Sequence, residues 1–185
     1  MTRSNGHARR YALTAFAALA MVVAAPASAS ASCKHARTHP SQLTKAEVKR
    51  TTLCLLNHQR KRHGRRALES NRRLARATRK HALDMVERKY FSHTAPDGDT
   101  FEDRIMHQDY VDPGQGWLVG ENIAWGTYQL ATPRSIVRSW MHSPGHRANI
   151  LSADFHEIGV GVVVGAPEAG FESAATYVTS FGTRY

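Results

Sequence analysis

The sequence has few cysteines and lacks long apolar runs beyond its first residues. Only two cysteines occur among 185 residues, and they form no Cys-X-X-Cys pair, which excludes the usual redox and zinc motifs built on that spacing. A transmembrane helix needs roughly 20 consecutive apolar residues, and no stretch after residue 31 meets that requirement. We therefore expect no transmembrane span in the mature chain.

Several catalytic motifs are absent as well. The sequence contains no Gly-X-Ser-X-Gly nucleophile elbow and no glycine-rich phosphate loop. His156 and Glu157 begin a His-Glu-X-X-His zinc motif, but Val160 occupies the place of its second histidine. The absence of these motifs argues against an α/β-hydrolase, a P-loop protein and a zincin.

Acidic residues are scarce relative to basic ones. The sequence contains 15 Asp and Glu and 25 Lys and Arg, which gives a net charge of +10. A basic patch stands out, opposed only by Glu69: Arg60, Lys61, Arg62, Arg65, Arg66, Arg72, Arg73, Arg76, Arg79 and Lys80. Such a patch attracts anionic wall polymers or lipid headgroups, although it also fits a plain solvated face. Nucleic acid is not an expected partner, because no aromatic residues interleave the patch to stack on bases.

The chain begins with the three-part pattern of a secretory signal peptide. Arg3, Arg9 and Arg10 precede an apolar run over 11–25, and small residues follow to Ala31. This pattern predicts a signal peptide over residues 1–31 and a secreted, extracellular protein. Its removal leaves 22 basic and 15 acidic side chains, a net charge of +7.

The two cysteines, Cys33 and Cys54, both lie in the exported part, where disulfides form and persist. A bond between them would tether the new N-terminus to the first helix, and closing a loop of about 20 residues is worth ~3 kcal/mol. Two free thiols are the alternative.

The pattern along the chain predicts an α+β fold. Residues 32–48 form an N-terminal arm and the start of the first helix, and 49–185 form one domain. Helices are predicted from a capping box at Thr44 and Glu47 to Gly64, from Asn71 to about residue 90, over about 101–108, and from Pro133 to Pro144. Strands are predicted over 158–165 and 176–181 by apolar alternation. Residues 109–119 are predicted to be loop, and 146–151 a short turn. Helices followed by strands favour a small antiparallel sheet covered by helices, in a monomer.

Four short stretches combine glycine, an ionisable residue and apolar residues. They begin near Phe91, Gly120, Ser139 and Phe155. We interpret them as bringing four side chains to one cleft: His93, Glu121, His146 and Glu157. Simpler explanations are a loop cap for His93, a satisfied helix-start residue for His146 and an acceptor of backbone N–H groups for Glu157. His81 on the second helix is interpreted as a core residue.

These stretches resemble the CAP superfamily of cysteine-rich secretory proteins, antigen 5 and pathogenesis-related proteins, also called the SCP domain. The similarity runs from about Leu53 to Gly182 through Phe91-Ser92-His93, Gly120-Glu121-Asn122-Ile123-Ala124, Ser143-Pro144-Gly145-His146-Arg147 and Glu157-Ile158-Gly159-Val160-Gly161. The resemblance implies an α-β-α sandwich with a cleft on one side.

The resemblance also implies a ligand set. Better-studied eukaryotic members hold two histidines and two glutamates in the cleft, and some bind zinc there. His93 and Glu121 match two of those positions. The other two fall at Ser143 and Asp154, so His146 and Glu157 are substitutes from neighbouring motifs. Zinc at His93 and His146 is thus a candidate cofactor, with no cofactor assured.

Two functions follow. The first is a secreted binding module whose cleft recognises a cell-wall component, a lipid or a protein. The second is a secreted hydrolase, such as a peptidase, that uses His93 and Glu121, with or without a metal. Histidine titrates near neutral pH and suits either general acid/base work or ligand contact.

Overall fold

The computed structural model describes residues 33–112 and 114–185. The predicted signal peptide, residues 1–31, lies outside the described residues. The α+β prediction is confirmed: within the described residues, five α-helices pack on one four-stranded sheet. The helices are α1 (Lys45–Arg62), α2 (Arg72–Arg88), α3 (Phe101–Met106), α4 (Pro133–His142) and α5 (Pro144–Leu151). The strands are β1 (Glu69–Ser70), β2 (Trp117–Thr127), β3 (Glu157–Val164) and β4 (Ala174–Arg184).

The sheet has the order β1-β3-β4-β2. The three long strands are antiparallel, as predicted, whereas the two-residue β1 runs parallel to β3. The strand β2 therefore lies at one edge. Its Glu121 pairs with Ser180 of β4, and Ser180 pairs in turn with Gly159 of β3.

Helices cover both faces of the sheet, which gives the α-β-α sandwich. The largest core cluster packs Leu56 of α1 and Trp140 of α4 against Ile158, Tyr177 and Phe181 on one face. On the other face, α2 packs Ala82 and Met85 against Ile123 and Val178. Side chains alternate between the faces of a strand, so Glu121 and Ile123 of β2 both face α2.

Two glycines of β3 allow α2 to lie directly on the sheet. A Cβ atom at Gly159 would collide with the backbone of Leu74, and one at Gly161 would collide with the backbone of Thr78. Both collisions involve main-chain atoms of α2, which cannot turn aside as a flexible side chain can. These glycines therefore set the distance between α2 and the sheet.

Local side chains define where the first two helices begin. The predicted capping box is present, with Thr44 accepting from the Glu47 amide and the Glu47 carboxylate accepting from the Thr44 amide. Asn71 accepts from the amides of Arg73 and Leu74 at the start of α2. These bonds satisfy amide groups that the first turn of a helix leaves unpaired.

Two segments differ from the sequence-based expectation. The strand β2 begins at Trp117, within a region predicted to be loop, and continues through Gly120 and Glu121 to Thr127. Residues 144–151 form the helix α5 rather than a short turn. Glycine and a buried carboxylate weaken the strand pattern in β2. In α5 the proline occupies the first helical position, which proline tolerates.

The predicted disulfide is confirmed. Cys33 and Cys54 are bonded, with a Cα–Cα distance of 5.8 Å, so the N-terminal arm is joined covalently to α1. Among the described residues, no helix has the length and apolar character needed to cross a bilayer.

Candidate functional site

Glu121 is the centre of a buried charged cluster on β2. Its side chain is 1% exposed. One carboxylate oxygen lies 2.9 Å from Nδ1 of His93, and Nη2 of Arg104 lies 3.3 Å from both oxygens. A buried carboxylate is stable only when it is paired and hydrogen-bonded, and these two residues supply both conditions.

Arg104 also holds the loop that carries His93. Its guanidinium donates to the carbonyl of His93 at 2.7 Å and to the carbonyl of Asp99 at 2.8 Å. The helix α3 that carries Arg104 starts at a capping box formed by Thr100 and Asp103. One buried arginine thus fixes both the carboxylate and the main chain beside the imidazole.

His81 supports the same loop from α2. Its ring is 1% exposed, and Nε2 donates to the carbonyl of Ser92 at 3.0 Å. Burial lowers the pKa of His81 and outweighs the charge of Glu121, which raises it. The charge of nearby Arg104 lowers the pKa further. The hydroxyl of Tyr90 donates to Asp84 and lies 3.4 Å from Nδ1 of His81. His81 is therefore a neutral, fully packed core histidine that positions the residue next to His93.

The contact with Glu121 defines which nitrogen of His93 is available. An ionised carboxylate can only accept hydrogen bonds, so Nδ1 of His93 carries the hydrogen. In the neutral imidazole, Nε2 is then left as an acceptor. The His93 side chain is 48% exposed, so an oriented imidazole is presented at the surface above a buried carboxylate.

His146 is carried by α5, which is bonded to β2. Its carbonyl accepts from Nδ2 of Asn122 at 3.0 Å, and Nδ2 of Asn149 donates to Asn122 and to the carbonyl of Glu121. Burial lowers the pKa of His146, and the charge of His93 lowers it further. The two histidines are thus near enough for the charge of His93 to act on His146, and α5 is joined to β2 through Asn122 and Asn149.

Glu157 belongs to a different cluster. Its carboxylate accepts from Asn71 at 2.7 Å and from the hydroxyl of Tyr110 at 2.7 Å, and Arg184 lies 3.3 Å away. Burial alone would raise the pKa of Glu157, but the bonds from Asn71, Tyr110 and Arg184 outweigh it and lower the pKa. None of these contacts involves His93, Glu121 or His146, and Glu157 joins the start of α2 to the ends of β3 and β4.

The described residues do not fit a zinc site. They contain no group of three or more His, Cys, Asp or Glu side chains that could hold a metal, whereas a catalytic zinc takes three protein ligands. Both oxygens of Glu121 are already engaged by His93 and Arg104. At the two positions where the eukaryotic ligands fall, Ser143 precedes α5 and Asp154 bonds Ser152. We derive no step through a metal.

The basic patch is exposed except at two of its arginines. Arg60 is buried and donates to the carbonyls of Arg66, Ile150, Ser152 and Phe155 at 2.6 to 3.3 Å. It therefore joins α1 to the end of α5 and contributes no surface charge. Arg73 is half-buried, and the remaining members are exposed: Lys61, Arg62, Arg65, Arg66, Arg72, Arg76, Arg79 and Lys80.

The sequence alone did not identify Arg104 as a site residue, although it lies in one of the matched stretches. A capping box at Thr100 and Asp103 was the available signal, because it fixes the start of the short helix that carries Arg104. Asn122 and Asn149 were also missed, since amide side chains that bond main-chain carbonyls leave no distinctive spacing in a sequence.

Comparison with known proteins shows the family. The family model of the cysteine-rich secretory protein family, CAP, matches residues 53–179. The chain belongs to the CAP family. The match includes His93, Glu121, His146 and Glu157, and it ends within β4.

Two relatives from Bacillus subtilis (strain 168) are similar in sequence to this chain. The protein YkwD is 35% identical over 125 residues, which cover 67% of this chain and 45% of YkwD. The membrane protein YlbC is 36% identical over 110 residues, which cover 60% of this chain and 30% of YlbC. The chain thus spans less than half the length of either relative.

Solved structures share the CAP fold. An extracellular protein with an SCP domain from Bacillus anthracis superposes with a TM-score of 0.57 at 27% identity, covering 75% of this chain and 43% of that protein. An outer surface protein of Borrelia burgdorferi gives a TM-score of 0.63 at 22% identity, covering 77% of this chain and 97% of that protein. The second likeness concerns the fold alone.

Proposed function

We propose that this CAP protein is exported and works as a binding module for cell-wall material, with His93 and His146 flanking the ligand. The observation that carries this proposal is the state of Glu121, whose carboxylate is 1% exposed and engaged by His93 and Arg104. A carboxylate so enclosed orients an imidazole and has no direct access to a substrate. The site is thereby suited to holding a ligand in a fixed geometry.

The chemistry of the cleft favours a ligand that carries hydrogen-bond donors. Nε2 of His93 is an acceptor when Nδ1 is bonded to Glu121. The depressed pKa of His146 favours the neutral form of that ring, which can accept or donate a hydrogen bond but brings no charge. Hydroxyl and amide groups of wall glycans and peptides can donate to Nε2 of His93 and can bond the ring of His146.

The exposed basic patch would supply a second, weaker attraction. Eight exposed Lys and Arg side chains from residue 61 to residue 80 attract anionic wall polymers at long range, and salt screens such attraction within about 10 Å at 0.1 M. Binding should therefore have a salt-sensitive part from the patch and a salt-resistant part from the cleft. A lipid or a protein ligand would not give retention on insoluble wall material with both a salt-sensitive and a salt-resistant part.

Retention on purified, insoluble cell wall tests the proposal. At raised salt we expect His93→Ala to lower retention about tenfold, which corresponds to one strong hydrogen bond lost from the complex. His156→Ala is the matched control, because His156 is exposed and lies outside the cleft. Equal retention by the two variants would show that His93 does not contribute to wall binding.

A hydrolase is the second candidate, and the contact between His93 and Glu121 favours it. A carboxylate bonded to Nδ1 of a histidine is the arrangement that orients a general base, and Nε2 could then take a proton from water. A hydrolase would release soluble amino groups or reducing ends from the wall. Loss of this release in Glu121→Gln, with binding retained, would support the hydrolase over the binding module.

Metal analysis separates the candidates further. We expect purified protein to contain far less than one zinc per chain, because the described residues provide no set of three ligands. One zinc per chain that disappears in His93→Ala would instead favour a metal-assisted hydrolase.

A further inference from the structure

A cavity separate from the His93 cleft lies where the end of β2 meets α4. It measures about 730 Å³, within the range of about 300 to 1,000 Å³ that is usual for small-molecule sites. Trp125 and Gly126 of β2, Leu130 and one face of α4 line it. Neither His93 nor His146 is among its lining residues.

The turn after β2 folds back closely onto the end of the strand. A Cβ atom at Gly126 would collide with the main-chain carbonyl of Leu130. Tyr128 has a φ of 48° and Ser173 a φ of 46°, a left-handed conformation that is unfavourable for residues with a side chain. The amide of Tyr128 donates to the carbonyl of Ser173 at 2.7 Å. Backbone strain of this kind clusters at binding sites, and here it shapes the rim of the cavity.

Aromatic side chains give the cavity an apolar surface that is open to solvent. The half-buried indole of Trp125 lines the cavity, and Phe171 packs against it edge-on, with ring centroids 4.9 Å apart. Phe171 is 50% exposed, and Leu130 is 62% exposed. Phe171 thus holds the indole in place, and an aromatic ring fixed in this way offers a flat surface to a ligand with an apolar face.

The α4 side of the cavity carries polar groups with hydrogen-bonding capacity to spare. Within residues 33–112 and 114–185, no ion pair or hydrogen bond engages the side chains of Arg138, Ser139 and Ser143, all of which line the cavity. Nδ1 of His142 donates to the carbonyl of Arg138 at 2.7 Å, so Nε2 is left as an acceptor in the neutral ring. A guanidinium, hydroxyl groups and an imidazole therefore lie beside the aromatic ring.

A sugar ring matches this combination of groups. The C–H groups on the face of a pyranose pack against the negative face of an aromatic ring, while its hydroxyl and acetamido groups exchange hydrogen bonds with polar side chains. An apolar ligand would leave the polar groups of α4 buried without partners, which is costly. A peptide strand added to β2 would need the free main-chain groups of that strand, but the carbonyls of Glu121 and Ile123 already accept from side chains.

We propose that this cavity binds the glycan chain of the cell wall, with one sugar ring on Trp125 and its polar groups bonded to Arg138 and Ser139. The inference rests on the proposed function, because it names the wall component that the module holds. Ser143 lines the cavity and immediately precedes α5, which carries His146. The cavity therefore ends where the helix of His146 begins.

Calorimetric titration with a chain of four N-acetylglucosamine rings tests the proposal. We expect saturable binding of one tetramer per protein chain. Arg138→Ala should weaken it about tenfold, the effect of losing one hydrogen bond to a charged group. Arg134→Ala is the matched control, because Arg134 lies one turn earlier on α4, is exposed and does not line the cavity. Absence of saturable binding, or equal affinities of the two variants, would overturn the proposal.

Tryptophan fluorescence locates the bound tetramer. The tetramer should change the emission of the wild-type protein and of Trp117→Phe, but not that of Trp125→Phe. Trp117 is 37% exposed at the other end of β2, and Trp140 is 1% exposed, so neither side chain contacts a ligand in the cavity. An emission change that persists in Trp125→Phe would place the tetramer elsewhere and contradict the proposal.

The glycan cavity and the His93 cleft can fail separately. The tetramer should bind His93→Ala as tightly as wild type, because His93 does not line the cavity. Wall retention that depends on His93, without any binding of the tetramer, would overturn the glycan cavity alone. Binding of the tetramer at Trp125, with wall retention unchanged in His93→Ala, would remove His93 from the proposed function and leave the cavity as the wall-binding site.

Discussion

Glu121 is unfavourable to bury and is nevertheless held at the centre of a charged cluster with His93 and Arg104. Taking a carboxylate out of water costs several kcal/mol, and Arg104, itself 8% exposed, offsets that cost only while the pair is intact. Through its hydrogen bond to His93, the carboxylate of this ion pair also orients an exposed imidazole. The same residue therefore links stability to function.

Replacing Glu121 by Gln tests this link. The variant leaves the guanidinium of Arg104 buried without a counter-charge, so we expect a loss of about 3 kcal/mol in the free energy of unfolding. Urea denaturation measures it, with Glu168→Gln as an exposed control. A loss no larger than that of the control would mean that the pair contributes little.

Arg60 makes a second residue-scale prediction. Its guanidinium donates to four carbonyls and is 1% exposed. In Arg60→Ala those carbonyls lose their donors, and we expect about 3 kcal/mol of destabilisation, read from thermal unfolding. Arg65→Ala, an exposed neighbour in the same basic patch, should change stability by less than ~0.5 kcal/mol. Similar losses in both variants would contradict the buried role of Arg60.

The residues of the site were only partly predictable from the sequence. His93 and Glu121 stood out because each belongs to a short polar stretch with glycine, and the structure places them in contact at 2.9 Å. Glu157 has the same kind of surroundings in sequence but bonds Asn71 and Tyr110. Which face of a strand meets which loop is decided by tertiary packing, and a local pattern does not encode it.

At the scale of elements, the helix starts were more predictable than the central strand. Capping side chains act over three or four residues, so Thr44 and Asn71 identify α1 and α2 directly. The strand β2 depends on pairing with β4, whose partner residues lie 47 to 67 positions later in the chain. Its glycines and buried Glu121 obscure the alternation that reveals β3.

The contact between α2 and β3 gives the prediction at this scale. In Gly161→Ala the added Cβ meets the backbone of Thr78, so α2 must shift, and we expect a loss of about 2 kcal/mol. Gly145→Ala is the control, because nothing lies within 4 Å of its added Cβ. Thermal unfolding compares them, and a neutral Gly161→Ala would show that α2 does not lie directly on the sheet.

At the scale of the whole molecule, acid should destabilise the fold through His81. Its folded pKa lies below the ordinary value of 6.5, so the unfolded chain takes up the proton first as the pH falls. The stability that His81 contributes is fully present above about pH 6.5 and is lost as the pH falls toward the folded pKa.

The variant His81→Gln keeps a donor for the carbonyl of Ser92 but does not titrate. The difference in unfolding free energy between wild type and variant should therefore decline on acidification from pH 6.5. Urea denaturation across that range measures it. A difference that stays flat, or that grows toward low pH, would contradict a neutral buried His81.

The contact with Glu121 orients His93 and leaves Nε2 of the ring as the acceptor. Nitrogen NMR of the imidazole tests it most directly, because the protonated and bare ring nitrogens differ strongly in chemical shift. We predict that neutral His93 carries its hydrogen on Nδ1, and that Glu121→Gln weakens this preference. A neutral His93 protonated on Nε2 in the wild-type protein would contradict the claim.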